Sequence, residues 1–104
     1  MLEHVVLFRL PPGQLAGLDG FISALKQFLG ECGDIVESRV VGDLGLRAAN
    51  DRAYHVMAVI RFEDAASFLD YVGSEAHQTF LRDVIRARNV ALAGIQVPSK
   101  TLEC

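Results

Sequence analysis

The sequence predicts an α+β fold, in which a four-stranded antiparallel sheet carries helices on one face. Strand patterns, with apolar residues at alternating or nearly all positions, occur in residues 2–10, 34–41, 53–62 and 90–97. Apolar residues at helical spacing occur in residues 14–29 and again between residues 62 and 85. The resulting order of strand, helix, strand, strand, helix pair and strand is the ferredoxin-like βαββαβ pattern.

The first strand and the first helix are both strongly apolar. Residues 2–10 are apolar on both faces near the centre, which is typical of a strand covered on both sides. The tripeptide PPG ends this strand. Residues 14–29 form a helix whose apolar stripe consists of Leu15, Leu18, Phe21, Ile22, Leu25, Phe28 and Leu29. We expect Gly30 or Gly33 to end the helix.

The other strands differ in how much of them is apolar. Residues 34–41 alternate polar and apolar side chains, a pattern that suits a sheet edge. Residues 53–62 are apolar on both faces, and residues 90–97 form the final strand. The long connection at residues 42–52 is expected to be mobile or to cover a site. We expect the tail, residues 98–104, to be loose.

Residues 62–85 contain a short helix, a glycine break and a second helix. Asp64 is predicted to cap the first helix, Gly73 to close it, and Ser74 to cap the second. The second helix carries His77 on one stripe with Phe80, Leu81, Val84 and Ile85. A titratable ring among large apolar side chains is the clearest chemical feature of this sequence.

Length, charge and cysteine content exclude several classes of function. The 104 residues predict a single domain, 1–104, and the net charge of −3 without a basic run argues against nucleic-acid binding. No apolar run approaches the ~20 residues of a membrane span, and the N-terminus does not have the pattern of a signal peptide. Cys32 and Cys104 are far apart and belong to no CxxC or His/Cys cluster. We therefore expect free thiols in a cytoplasmic protein with no metal and no cofactor.

The apolar content also predicts a second copy of the chain. Hydrophobic residues make up 51% of the sequence, and the mean hydropathy is +0.28, which is high for a chain of this size. Once helices cover one face of the sheet, nothing in the chain remains to cover the apolar residues of the other. We therefore expect a homodimer with an isologous two-fold contact through Val5, Leu7, Met57 and Val59 or through their neighbours on the opposite face.

Three segments give the chain a family likeness. The opening MLEHVVLFRL followed by PPG, the third strand AYHVMAVIRFED and the segment DYVGSEAHQTF resemble the stress-responsive A/B barrel (Dabb) domain family. The resemblance covers about residues 2 to 97. It implies a dimeric α+β barrel that assembles from two ferredoxin-like chains.

One branch of that family is a plant polyketide cyclase of the olivetolic acid type, which closes a linear tetraketide by aldol condensation. Its acid/base pair is a Tyr and a His six residues later, which the resemblance places at Tyr71 and His77. His4 matches a pocket histidine of the cyclase. Two positions depart from the pattern: the usual His-Pro before Ala-His is Ser74-Glu75, and a further pocket histidine corresponds to Val56.

For each candidate residue a structural interpretation stands beside the chemical one. His77 is either a general base, kept neutral by burial and by the helix N-terminus, or a core histidine bonded to a backbone carbonyl. Tyr71 either donates to a carbonyl that becomes an enolate or packs its ring with the hydroxyl in water. His55 is expected to face the dimer side, with a hydrogen bond at the interface.

Two functions remain compatible with the sequence. The first is a cofactor-free cyclase or lyase acting on an apolar carbonyl compound, whose tail would contact Phe21, Leu25, Phe80 and Leu81. The second is a non-catalytic, stress-related or ligand-binding dimeric barrel. They differ in geometry, because an enzyme needs Tyr71 and His77 to converge on an open cavity, whereas aromatic side chains would fill that space in a structural barrel.

Overall fold

The computed structural model of the chain describes residues 1–48, 50 and 52–99. Its four-stranded sheet is antiparallel throughout, with the strand order β2-β3-β1-β4. The strands are β1 (Leu2–Arg9), β2 (Glu37–Gly42), β3 (Val56–Phe62) and β4 (Ala91–Pro98). The predicted ferredoxin-like α+β fold is confirmed, and β2 occupies the edge position that its polar pattern indicated.

Helices cover one face of this sheet. A 3₁₀ segment (Pro12–Gly17) leads into α1 (Leu18–Glu31), and α2 (Ala65–Gly73) is followed by α3 (Glu75–Phe80) and a π-helical turn (Leu81–Arg86). Helix α1 packs over β2, and α2 packs over β3. The core between the sheet and these helices includes Phe8, Phe21, Leu25, Ile60 and Phe62.

The strand register separates two chemically different faces. The side chains of His4, Val6 and Phe8 on β1 point toward the helices, together with those of Ala58 and Ile60 on β3. The alternating side chains point to the opposite face, which no described element covers. We call that surface the open face, and it includes Val5, Leu7, Val41, Met57, Val59, Ala93 and Ile95.

The helical segments differ from the prediction at their ends. Residues 14–17 belong to the 3₁₀ segment rather than to the α-helix, and the N–H of Gln14 donates to the carbonyl of Pro11, three residues back, at 2.8 Å. Helix α1 continues through Gly30 to Glu31, so Gly30 does not end it. The second predicted helix is regular only to Phe80, after which the backbone widens into the π-helical turn.

The strand boundaries also need correction. Strand β2 begins at Glu37 instead of at residue 34, and β3 begins at Val56 instead of at residue 53. The reason at β3 is His55, because its Nδ1 accepts from the N–H of Leu10 at 3.0 Å, while its own N–H donates to the carbonyl of Phe8. The bond at Nδ1 of His55 is therefore intramolecular, and the expected bond of this residue at the interface stays a prediction.

The start of the tail is ordered, contrary to the prediction. Pro98 is the last residue of β4, and the N–H of Ser99 donates to the carbonyl of Met1 at 3.1 Å. The hydroxyl of Ser99 donates to the carboxylate of Glu3 at 3.1 Å. The remaining residues of the predicted tail, 100–104, lie outside the described residues, as does Cys104.

Candidate functional site

Tyr71 and His77 lie on either side of the break between α2 and α3. Ser74 occupies this break, where its Oγ accepts from the N–H of His77 at 3.1 Å and donates to the carbonyl of Tyr71 at 2.8 Å. The predicted cap at Ser74 is therefore confirmed, as is the cap at Asp64, whose Oδ1 accepts from the N–H of Ser67 at 2.8 Å. One hydroxyl thus ties together the backbones that carry the two candidate residues.

The two rings are in direct contact. Their centroids are 4.8 Å apart and their planes meet at 66°, an edge-to-face arrangement. The ring of His4 approaches Tyr71 from the sheet, with a centroid separation of 6.5 Å. The fold therefore brings together the three polar residues that the sequence singled out, from β1, α2 and α3.

Phenylalanine rings surround this polar trio. Phe28 of α1 lies 5.9 Å from Tyr71 and 6.2 Å from His77, measured between ring centroids. Phe62 and Phe68 pack on the other sides of Tyr71, at 5.0 and 6.5 Å. As a result only 4% of the surface of Tyr71 is exposed. These contacts hold the tyrosine ring in one orientation relative to the two histidines.

The environment of His77 favours a neutral ring. Burial lowers the pKa of His77 below its ordinary value, and a hydrogen bond with the backbone of Val72 acts in the opposite direction but more weakly. Its Nδ1 is buried and has no hydrogen-bond partner among the described residues.

His4 is neutral for similar reasons. Burial lowers its pKa most, the nearby His77 lowers it further, and a hydrogen bond with the backbone of Ile95 opposes these effects. The side-chain nitrogen of Gln96, Nε2, lies 2.8 Å from Nδ1 of His4. The ring also packs on Phe68, with centroids 5.0 Å apart. The two imidazoles next to Tyr71, those of His4 and His77, are therefore both neutral at pH 7.

Tyr71 keeps its proton over the whole physiological range. Burial raises the pKa of its hydroxyl, and the nearby Cys32 raises it further. Cys32 is a free, half-buried thiol that donates to the carbonyl of Phe28 at 3.2 Å. A protonated tyrosine beside a neutral histidine is the pairing that a proton-transfer step to or from a carbonyl compound requires.

The apolar residues predicted to line a pocket belong to the packed core. Phe21 and Leu25 are fully buried, and Phe21 meets Phe8 edge to face at 5.3 Å. Phe80 stacks on Phe28 beside the trio, and Leu81 is half-buried against the core. Val56 pairs with Phe8 across β3 and β1. Of these five residues, Phe80 therefore has the clearest contact with the aromatic shell of Tyr71 and His77.

Two clefts stand out, and both lie on the open face. The larger cleft has a volume of about 910 Å³ and lies under the β2–β3 connection. That connection contributes the highly exposed Leu44 and Leu46, and the strands contribute Leu7, Val56 and Met57. The smaller, about 380 Å³, is lined by Glu3, Glu37, Ser38, Arg39, Val59 and Arg61. Neither cleft is lined by Tyr71, His77 or His4.

Several residues of the site were not singled out by the sequence. Phe28 looked like an ordinary member of the α1 stripe, and Gln96 looked like a surface residue of the last strand. Gln96 could have been found only from the register of β4 against β1, which places it opposite His4.

Within the described residues, no group of three or more His, Cys, Asp or Glu side chains could hold a metal ion. No helix in this part of the chain is long and apolar enough to cross a membrane.

Known structures support the fold. No protein-family model matches the chain, and no curated protein sequence matches it. A dimeric ferredoxin-like protein of unknown function from Thermobifida fusca is similar, with a TM-score of 0.73 and 22% identity over 92% of this chain and 88% of that one. A Dabb family protein with a ferredoxin-like fold from Mesorhizobium loti gives a TM-score of 0.74 and 18% identity over 96% of this chain and 97% of that one.

A third similar structure belongs to a Deinococcus radiodurans protein assigned provisionally as an antibiotic biosynthesis monooxygenase. Its TM-score is 0.74 at 11% identity, over 100% of this chain and 97% of that one. At these identities the likeness shows the fold, which hosts more than one function. The chain therefore has the ferredoxin-like fold, and one of the solved structures that share this fold is a Dabb family protein.

Proposed function

We propose that this chain is a Dabb-type protein of the cytoplasm that forms a homodimer and catalyses proton transfer on a small apolar carbonyl compound. In this proposal His77 is the general base and Tyr71 the hydrogen-bond donor. The reaction belongs to the class of enolisation followed by aldol closure, without a cofactor. A β-polyketone is the substrate class that this pair suits.

The dimer is proposed from the open face. Val5 pairs with both Val59 and Ile95 across the sheet, and Leu7 pairs with Met57. Ile95, on the edge strand β4, is 59% exposed beside Val5. A second open face, placed against the first by a two-fold axis, would remove this surface from water. The similar structure from Thermobifida fusca is described as dimeric.

The single observation that carries the catalytic proposal is the unpartnered Nδ1 of His77. A buried polar atom without a partner is rare in folded proteins, because it forfeits its hydrogen bonds to water, and a catalytic role is one explanation of such an atom. Here that atom belongs to a neutral imidazole in contact with the tyrosine. In this proposal the acidic C–H of the substrate lies against Nδ1.

The chemistry follows from the two protonation states. Nδ1 of His77 would take the proton from the carbon next to a carbonyl, and the C–H electron pair would pass into the enolate. The hydroxyl of Tyr71 would hydrogen-bond the enolate oxygen as its negative charge develops. The enolate carbon would then attack a second carbonyl of the same molecule, and the proton would return from His77 to the new alkoxide. General base catalysis of this kind contributes ~10²–10⁴-fold.

One observation favours the non-catalytic alternative. The space around Tyr71 is occupied by Phe28, Phe62 and Phe68, and the two described clefts lie on the other side of the sheet. A barrel that stores or carries an apolar ligand would use the clefts of the open face. In that case Tyr71 and His77 would be packing residues.

An exchange experiment separates these two functions. Nonane-2,4-dione is dissolved in D₂O with the protein, and NMR follows the replacement of its central C–H protons by deuterium against the buffer rate. We expect acceleration by the wild type, no acceleration by His77→Gln, and a reduced rate for Tyr71→Phe. Tyr54→Phe is the matched control, because it makes the same change outside the trio and should keep the wild-type rate. Equal rates with and without protein would overturn the catalytic proposal.

A further inference from the structure

The inner face of β4 is the part of the sheet that the helices leave uncovered. Its side chains on the helix side are those of Leu92, Gly94 and Gln96, which pair with Phe8, Val6 and His4 of β1. Leu92 is 46% exposed, and Gly94 and Gln96 are also exposed, whereas their partners Phe8 and Val6 are buried. This gap in the helix layer adjoins the ring of His4.

Two features of β4 fix the position of that ring. A side chain at position 94 would crowd this ring, since a Cβ built on Gly94 would lie 3.1 Å from Cε1 of His4 and the ring would have to give way by a few tenths of an ångström. The ring therefore lies directly over the glycine. Gln96, two residues further, presents its amide nitrogen 2.8 Å from Nδ1 of His4. An amide nitrogen only donates, so the ring nitrogen that faces it has to accept.

We propose that Gln96 is a positioning residue that holds His4 in the tautomer with its proton on Nε2, so that His4 provides a second hydrogen-bond donor to the substrate carbonyl at the edge of β4. Gly94 leaves the room that this ring orientation needs. The inference rests on the proposed function, because it assigns His4 a part in the same reaction.

The tautomer matters because the two neutral forms of imidazole offer opposite chemistry. With the proton on Nδ1, the ring would present a lone pair at Nε2, which repels a developing enolate oxygen. With the proton on Nε2, the ring presents a donor to that oxygen, as Tyr71 does. The hydrogen bond with Gln96 favours the Nε2–H form, because it occupies the lone pair of Nδ1.

The uncovered inner face also gives the substrate a route. Tyr71 is shielded by its phenylalanine neighbours, but His4 contacts both the gap and the Tyr71 ring. A ligand that enters over Gly94 would meet His4 first and then the ring of Tyr71. An apolar tail could remain on the exposed Leu92. The gap therefore suits a ligand with one polar carbonyl end and one apolar end.

The first test reads the tautomer directly and needs no substrate. The ¹⁵N shifts of the His4 ring are measured at pH 7.5 in the wild type, in Gln96→Glu and in Gln14→Glu. We expect an unprotonated Nδ1 in the wild type and in Gln14→Glu, an exposed control with the same change in charge. A carboxylate only accepts, so Gln96→Glu should move the proton to Nδ1. A proton on Nδ1 in the wild type would overturn the inference.

The second test uses the nonane-2,4-dione exchange rate. Gln96→Glu should lower it by about 10-fold, less than the ~10²–10³-fold that removal of an oxyanion donor itself costs. Gln14→Glu should keep the wild-type rate. If the wild type is active and Gln96→Glu equals it, the role of Gln96 is wrong while the proposed function stands. If the wild type is inactive, the proposed function and the role of Gln96 in it are both wrong, whichever tautomer His4 adopts.

Discussion

Phe28 stacks on Phe80 with ring centroids 4.4 Å apart and planes within 12° of parallel. This stacked pair joins α1 to α3, and Phe28 also contacts both Tyr71 and His77. One side chain of α1 therefore connects the hydrophobic core to the candidate acid/base pair. A change in this packing should reach the site as well as the stability of the fold.

Phe28→Ala tests this connection. Truncation of a buried phenylalanine costs about 3–5 kcal/mol of the free energy of unfolding, and the loss of its ring should also shift the NMR signals of the His77 ring. Leu29→Ala is the control, because it removes a buried neighbour that is not part of the aromatic shell, at a cost of about 2–5 kcal/mol. Urea denaturation gives the stability. Unchanged His77 signals in Phe28→Ala would contradict the connection.

Ser74→Ala should affect both stability and the site. Loss of the N-cap costs about 1 kcal/mol, and the bonds from Ser74 to Tyr71 and His77 disappear with it. Asp64→Ala removes the cap of α2 at a similar cost, but Asp64 has no bond to either residue. Thermal unfolding and ¹H–¹⁵N spectra of both variants are compared. If the Tyr71 and His77 amide signals respond equally to the two changes, Ser74 has no special link to the pair.

Acidification should destabilise the fold through His4 and His77. Both have pKa values lowered in the folded state, so below about pH 6.5 the unfolded chain binds more protons than the folded one. Their contribution to stability is present above the unfolded pKa and is lost as pH falls toward the folded pKa. The free energy of unfolding should therefore fall between pH 7.5 and 5, with a shallower slope in His77→Gln. An equal slope in this variant would mean that His77 does not titrate as described.

The homodimer can be tested by a charge in the open face. Val59→Glu should convert a species of twice the 11.4 kDa chain mass into monomer or aggregate, because a carboxylate would be buried at the interface. Leu69→Glu makes a comparable change at an exposed position of α2 and should leave the dimer intact. Light scattering at micromolar concentration measures both. A monomeric, well-folded wild type would end the dimer proposal.

The strand and helix order was predictable because its signals are local. Alternating apolar residues, the Asp64 and Ser74 caps and the spacing from Tyr71 to His77 all depend on neighbours in sequence. The pairing of His4 with Gln96 was not predictable, because the two residues are 92 positions apart and depend on the register of β1 against β4. Long-range register is fixed by the packing of the whole sheet.

The errors at element ends have two different origins. The ring nitrogen Nδ1 of His55 accepts from the N–H of Leu10 in place of a backbone carbonyl. Strand β3 therefore begins at Val56, although its sequence pattern begins at residue 53. The π-helical turn after Phe80 keeps the apolar stripe and so leaves no mark in the sequence pattern. Phe21 and Leu25 were predicted to contact the tail of a ligand. Both are buried in the core of this structure, and their contact with a ligand stays a prediction.

The central claim is that neutral His77 removes a proton from a carbonyl substrate, and the most direct test compares two titrations. NMR measures the pKa of the His77 ring, which we expect below its ordinary value because the ring is buried. The rate of nonane-2,4-dione deuterium exchange is then measured over the same pH range. The account predicts that the rate falls on acidification with a midpoint equal to the measured pKa of His77. An exchange rate that stays constant across the titration of His77 would contradict it.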